Sequence, residues 1–139
     1  MSPFEAEVLR AKISVILENL KALEPIVAMD PDEYLRDLYK RKATERLLHE
    51  IIEAAIDINV HMIVGSGHAA PDDYYRSFTL AGELGILSPD LAEKLAPSAG
   101  LRNRLVHEYD RIDNSIILKA VSLAQALFPK YVEEITSAL

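Results

Sequence analysis

The sequence predicts an all-α protein, an antiparallel bundle of five to six helices. Three observations carry that expectation. Apolar residues recur at steps of three and four over long stretches, the spacing that gathers them on one face of a helix. No stretch of useful length alternates apolar and polar residues with period two, as a half-buried strand would. Polar residues followed by proline, and glycines further on, mark where helices start and stop.

Ser2-Pro3 opens the first helix, and Glu5 is placed to return a hydrogen bond to the cap backbone and complete a capping box. Leu9, Ile13, Ile16, Leu17, Leu20 and Leu23 form its buried stripe, and Pro25 is expected to end it. Asp30-Pro31 repeats the start, with Glu33 in the capping position. The segment from about 31 to 64 is long for one globular helix, so a bend or break is expected near Asp37 to Lys42. Its second part turns Leu47, Leu48, Ile51, Ile52, Ala55, Ile56 and Ile63 inward, and Gly65-Ser66-Gly67 stops it. A further helix fits 72 to 84, ended by Gly85. Ser88-Pro89 starts another, without the capping glutamate, which runs into residues 102 to 109 with a bend around Pro97 to Gly100. Asp113 or Asn114 caps the last helix, from Ser115 to about Leu127, where Pro129 is expected to end or kink it.

With 139 residues the chain is expected to form one domain, 1–139. It is 50% apolar and 27% charged with only five glycines, which excludes disordered and low-complexity classes. The absence of cysteine excludes a disulfide framework and a thiolate nucleophile, and points to a reducing compartment. Apolar runs fall short of the roughly 20 residues that span a bilayer. Met1-Ser2-Pro3-Phe4-Glu5 lacks the basic start and apolar run of a leader, so a soluble cytoplasmic protein with no membrane contact is expected. A formal net charge of -7 opposes non-specific attraction to nucleic acid, so any RNA site must be local.

Chemistry concentrates at Arg102-Asn103-Arg104-Leu105-Val106-His107-Glu108-Tyr109. Arginine holds a phosphate through two parallel hydrogen bonds, and histidine is the side chain that takes and gives protons near neutral pH. On a regular helix Asn103 and His107 share a face and Arg104 lies near it, whereas Arg102 is about 140° round from His107. Arg102 and His107 converge on one phosphate only if the helix loosens near His107, or if two copies of the segment meet across a twofold axis. In an RNA cleft of that kind one His107 removes the 2′-hydroxyl proton and Arg102 steadies the charge on phosphorus oxygens. The products would be a 2′,3′-cyclic phosphate and a 5′-hydroxyl. The competing reading makes Arg102 and Arg104 surface charges and His107 a capping or core histidine.

The octapeptide resembles the signature of HepT-like toxins in the HEPN superfamily: arginine, a polar residue, a short spacer, histidine, any residue, tyrosine. The resemblance extends over nearly the whole chain, including the helix from Ala54 to His61, the segment from Phe78 to Leu87, and Leu95 to Leu101. It implies an all-helical homodimer with a composite ribonuclease cleft, the toxin of a two-gene toxin–antitoxin module of type VII. Arg102 and His107 carry over as catalytic residues, with Asn103, and beside it Arg104, in support. The partner implied is a minimal nucleotidyltransferase antitoxin that transfers AMP from ATP to the tyrosine after the histidine, here Tyr109. AMP beside an RNA cleft would exclude substrate by bulk and charge together.

Glu53, Asp57 and His61 form one polar line on an apolar helix, either a metal site or second wall of the cleft, or, preferred here, a satisfied polar seam. Arg36, Lys40, Arg41, Lys42 and Arg46 could follow an RNA backbone or meet an acidic antitoxin, but such a run is more often a solvated face. His49 and His68 receive no role. Glycine-rich phosphate loops are absent, so no ATP site and no cofactor are expected. The alternative from another class is a non-catalytic helical adaptor that binds a minimal nucleotidyltransferase or a nucleotide.

Overall fold

The computed structural model describes residues 3–108 and 110–139, with side chains from Glu5 onward. Its helices are α1 (Pro3–Val27), α2 (Pro31–Leu35), α3 (Leu38–Gly65), α4 (Tyr74–Glu83), α5 (Pro89–Leu95), α6 (Ser98–His107) and α7 (Asn114–Ala138). Six of them have seven residues or more, and α2 is a five-residue turn; no strand occurs among the described residues. None of these helices is long and apolar enough to cross a membrane.

Three long helices make the bundle. α1 runs antiparallel to α3, since Lys12 meets Asp57 while Asn19 reaches the Leu47 carbonyl and Glu50. It runs antiparallel to α7 as well: Gln125 donates to the Leu20 carbonyl, and Ile13 shares a surface cleft with Thr136. The apolar stripes meet inside, with Leu9, Ile16 and Leu23 packed among Ile51, Ile58, Ile117 and Val121, all buried. This burial is the main force holding the bundle.

The ends of the helices follow from local chemistry. Asp30, Asp37, Asp73 and Asp113 each cap a helix by accepting a backbone N–H two or three residues on. The expected break in the long segment falls at Asp37. Gly67 and Gly85 have φ of 88° and 76°, the left-handed conformation open to glycine. Beyond them, His68 and Ile86 donate back to the carbonyls of Ile63 and Ala81, closing two Schellman motifs. Ser88, which lacks a capping glutamate in its own helix, finds one on α7: Glu134 accepts from its backbone N at 2.6 Å and its Oγ at 3.0 Å.

Some expectations give way to packing. Pro25 lies inside α1 and Pro129 inside α7, where each forfeits one backbone bond without ending its helix. The residues beyond them, Ile26 on α1 and Tyr131 and Ile135 on α7, are buried, and that burial outweighs the missing bond. Leu17 is 47% exposed and stands outside the buried stripe of α1. Glu33 returns no bond to the Asp30 backbone, Asp30 alone capping the short α2. The bend near Pro97 is a full break between α5 and α6. The proposed Ser2 cap lies outside the described residues.

A buried polar chain crosses the bundle. The Tyr131 hydroxyl donates toward the Ala55 carbonyl at 2.9 Å and Asn59 Oδ1 at 2.6 Å; Asn59 Nδ2 donates to Ser77 Oγ at 3.4 Å, and Ser77 Oγ to the Tyr74 carbonyl at 2.7 Å. Burial raises the Tyr131 pKa well above its ordinary value, keeping the phenol a donor. Where α4 meets α5 the approach is close: a Cβ on Gly82 would stand 2.6 Å from that of Ala92.

Candidate active site

α6 carries most of the octapeptide. Its buried residues Ala99 and Leu105 set the inner face, and Arg102, midway between them by helix position, is drawn in against α3. The Arg102 side chain is only 14% exposed. Its Nε donates to Glu53 Oε2 at 2.8 Å and its Nη2 to Glu53 Oε1 at 3.2 Å, a two-bond fork. The guanidinium carbon stands 4.7 Å from the centre of the Tyr74 ring, a cation–π contact, and Nη1 reaches toward Asn103 Oδ1 at 3.4 Å. The hydrogen bonds from Arg102, and then its charge, lower the Glu53 pKa against the effect of partial burial; in return Glu53, chiefly through the same bonds, raises that of Arg102.

His49 adds to this group from one turn earlier on α3. Its Nε2 lies 3.8 Å from Glu53 Oε2, and its Nδ1 is 3.4 Å from Arg46 Nη1. Sequence reasoning assigns His49 nothing, and its spacing of four from Glu53 is the one signal that could point to it.

The polar line on α3 divides among separate partners. Glu53 holds Arg102, Asp57 pairs with Lys12 at 3.1 Å, and His61 is exposed beside a hollow near Glu5 and Leu9. Among the described residues no group of three or more His, Asp or Glu side chains could hold a metal ion. The basic cluster is a solvated face in large part: Arg36 is exposed, and Lys40, Lys42 and Arg46 pair with Asp37, Glu45 and Glu50. Arg41 differs, since its Nε is buried without a hydrogen-bond partner.

The other half of the octapeptide faces outward. Asn103, Arg104 and His107 are all exposed, and α6 ends at His107. Arg104 lines an apolar groove of about 330 Å³ between α5–α6 and α7, with Leu48, Leu101, Ala120 and Leu123. No hydrogen bond, ion pair or ring contact joins Arg102 to His107 among the described residues. One copy of the chain thus presents an arginine already seated and a histidine at an open helix end. Tyr109 lies outside the described residues.

Residues 16–135 match the family model described as ribonuclease HepT-like. The tRNA nuclease HepT of Aphanizomenon flos-aquae is 38% identical over the whole of this chain and 95% of its own length. The mRNA nuclease HepT of Shewanella oneidensis is 25% identical over 89% of this chain and 92% of its own length. Among solved structures, a tri-AMPylated HEPN toxin of Shewanella oneidensis in complex with an MNT antitoxin superposes with a TM-score of 0.84 at 24% identity, covering 99% of each chain. That likeness shows that the two chains share one all-helical fold.

Proposed function

The chain belongs to the ribonuclease HepT-like family, and we propose that it is the RNA-cleaving toxin of a type VII toxin–antitoxin module. It acts as a metal-independent endoribonuclease in the cytoplasm, as a homodimer of one HEPN-like domain per chain. Its partner is a minimal nucleotidyltransferase antitoxin, which silences it by transferring AMP to Tyr109. The observation that carries this reading is the seat of Arg102: the arginine of the octapeptide is drawn in to 14% exposure and held there by a two-bond fork on Glu53 and the ring face of Tyr74.

In the dimer the two outward-facing ends of α6 meet, so that Arg102 and His107 of both copies line one cleft. One His107 takes the proton from an RNA 2′-hydroxyl, and that oxygen attacks the adjacent phosphorus. Arg102 stabilises the charge gathering on the phosphoryl oxygens, while a proton passes from the second His107 to the departing 5′-oxygen. The chain ends left behind are a 2′,3′-cyclic phosphate and a 5′-hydroxyl. Asn103, exposed beside Arg102, supports the arginine through its side-chain carbonyl, and Arg104 supplies charge along the outer face. Transfer RNA is the first substrate to try, because the relative at 38% identity is a tRNA nuclease. AMP on Tyr109 would put bulk and negative charge two residues from His107, where both oppose RNA.

The test is cleavage of tRNA by purified protein. Arg102→Ala and His107→Ala are each expected to lose on the order of 10³-fold or more in rate, as removal of a general base or an oxyanion donor does. Equal cleavage by all three proteins would take the pair out of the mechanism. With antitoxin and ATP, wild type should gain AMP mass and Tyr109→Phe should not; equal labelling moves the modification elsewhere.

A further inference from the structure

Arginine can make two different two-bond forks, one from its side through Nε and Nη2, the other from its end through Nη1 and Nη2. Glu53 occupies the side fork of Arg102, at 2.8 and 3.2 Å. The end fork keeps both Nη1 protons and one Nη2 proton, and among the described residues it meets only a long 3.4 Å bond to Asn103 Oδ1. Tyr74 closes one face of the guanidinium plane at 4.7 Å. Tyr74 itself is held from behind, because its carbonyl accepts from Ser77 at the end of the buried chain that runs through Asn59 to Tyr131. Two helices thus fix the direction of the guanidinium, α3 from its edge and α4 from its face.

We infer that Glu53 and Tyr74 are positioning residues for the nuclease reaction: they hold the Arg102 guanidinium so that its end fork is presented to the scissile phosphate. The inference rests on the ribonuclease reading above. An arginine on a flexible stem would have to be ordered as the phosphate arrives; one already seated keeps that cost out of the reaction. Glu53 and Tyr74 act through Arg102 and leave the substrate to it. Their loss therefore falls on kcat and leaves KM nearly alone. The ion pair also sets a requirement, since Glu53 neutralises much of the Arg102 charge. What the pair supplies is direction more than attraction.

The experiment compares the dimer carrying Glu53→Ala, Glu53→Gln, Tyr74→Ala or Tyr74→Phe with wild type on one tRNA, measuring kcat and KM separately. Glu53→Ala should lower kcat by roughly ten- to a hundredfold, with KM changed by less than about threefold. Glu53→Gln, which keeps one acceptor oxygen, should recover part of the loss. Tyr74→Ala should cost about fivefold, the worth of an exposed cation–π contact, and Tyr74→Phe should restore most of it. Asp57→Ala, one turn along α3 and paired with Lys12, serves as a control with unchanged kcat. Lower melting temperatures with unchanged kcat would reduce Glu53 to a structural ion pair, and a rise in kcat would make it an inhibitor of Arg102; either overturns the inference while cleavage by wild type upholds the ribonuclease reading. A second readout needs no cleavage. In wild type the Arg102 Nε–H should give a slowly exchanging nitrogen–proton signal, identified by its loss in Arg102→Lys and abolished by Glu53→Ala. Exchange in wild type as fast as that of a free arginine overturns the inference even if no RNA is cut.

Discussion

Arg102 and His107 stand five residues apart on one helix and meet opposite conditions. Arg102 is drawn against α3, forked onto Glu53 and covered by Tyr74. His107 is exposed at the last position of α6, where the helix ends and the backbone leaves the α conformation at Glu108. The first is a group whose geometry one protomer completes. The second meets no hydrogen-bond or ion-pair partner among the described residues. On the proposed reading the cleft is divided accordingly, with the anion-binding half built by folding and the proton-transfer half by association.

Mixing wild-type with defective protomers would test that division with the largest effect. If the cleft takes one His107 from each copy, wild type exchanged into dimers with an excess of His107→Ala, itself down about 10³-fold, should lose nearly all of its tRNA cleavage after co-refolding. Cleavage in proportion to the wild-type protomers present would mean that each site works with the residues of its own chain. A smaller effect comes from the buried chain behind Tyr74. Tyr131→Phe leaves Asn59 Oδ1 without its donor and should cost about 1–3 kcal/mol in denaturant unfolding; an unchanged midpoint would show that the chain does not hold α4. The smallest effect is in pH. Glu53 has a folded pKa below its ordinary value, so its ion pair stabilises the protein fully above that ordinary value and loses its contribution as pH falls through the lowered one. Melting temperatures of wild type and Glu53→Gln should differ near neutral pH and converge on acidification through that window. A constant difference would remove Glu53 from the acid response.

Most of the helices were legible because they rest on local rules. Asp37 and Asp113 cap, Gly67 and Gly85 stop, and the stripe around Ile51 and Ala55 turns inward, all within a few residues of sequence. Pro25 as the end of the first helix and Leu127 as the end of the last were misread for the complementary reason: the local cost of proline is real, but the burial of Ile26 and Tyr131 that outweighs it comes from other helices. The site divides in the same way. The arginine and histidine of the octapeptide can be found from spacing and resemblance. Glu53 was visible only as part of a polar line on an apolar helix, because its partner lies 49 residues away and periodicity tells which face a residue occupies without telling what stands opposite. Tyr74 carried no signal at all. Glu134, which supplies the cap missing at Ser88 from 46 residues away, was hidden for the same reason.

Gly82 gives the α4 side of the Arg102 seat an unexpected sensitivity. Its hydrogen leaves just enough clearance for Ala92, and an added methyl group, 2.6 Å from another, would force α4 and α5 apart. Tyr74 lies eight positions up the same helix, about 12 Å along its axis, and its ring covers Arg102. A substitution at position 82 that displaces α4 is thus expected to loosen the Arg102 seat and, on the proposed reading, to lower activity while leaving every residue of the octapeptide in the gene.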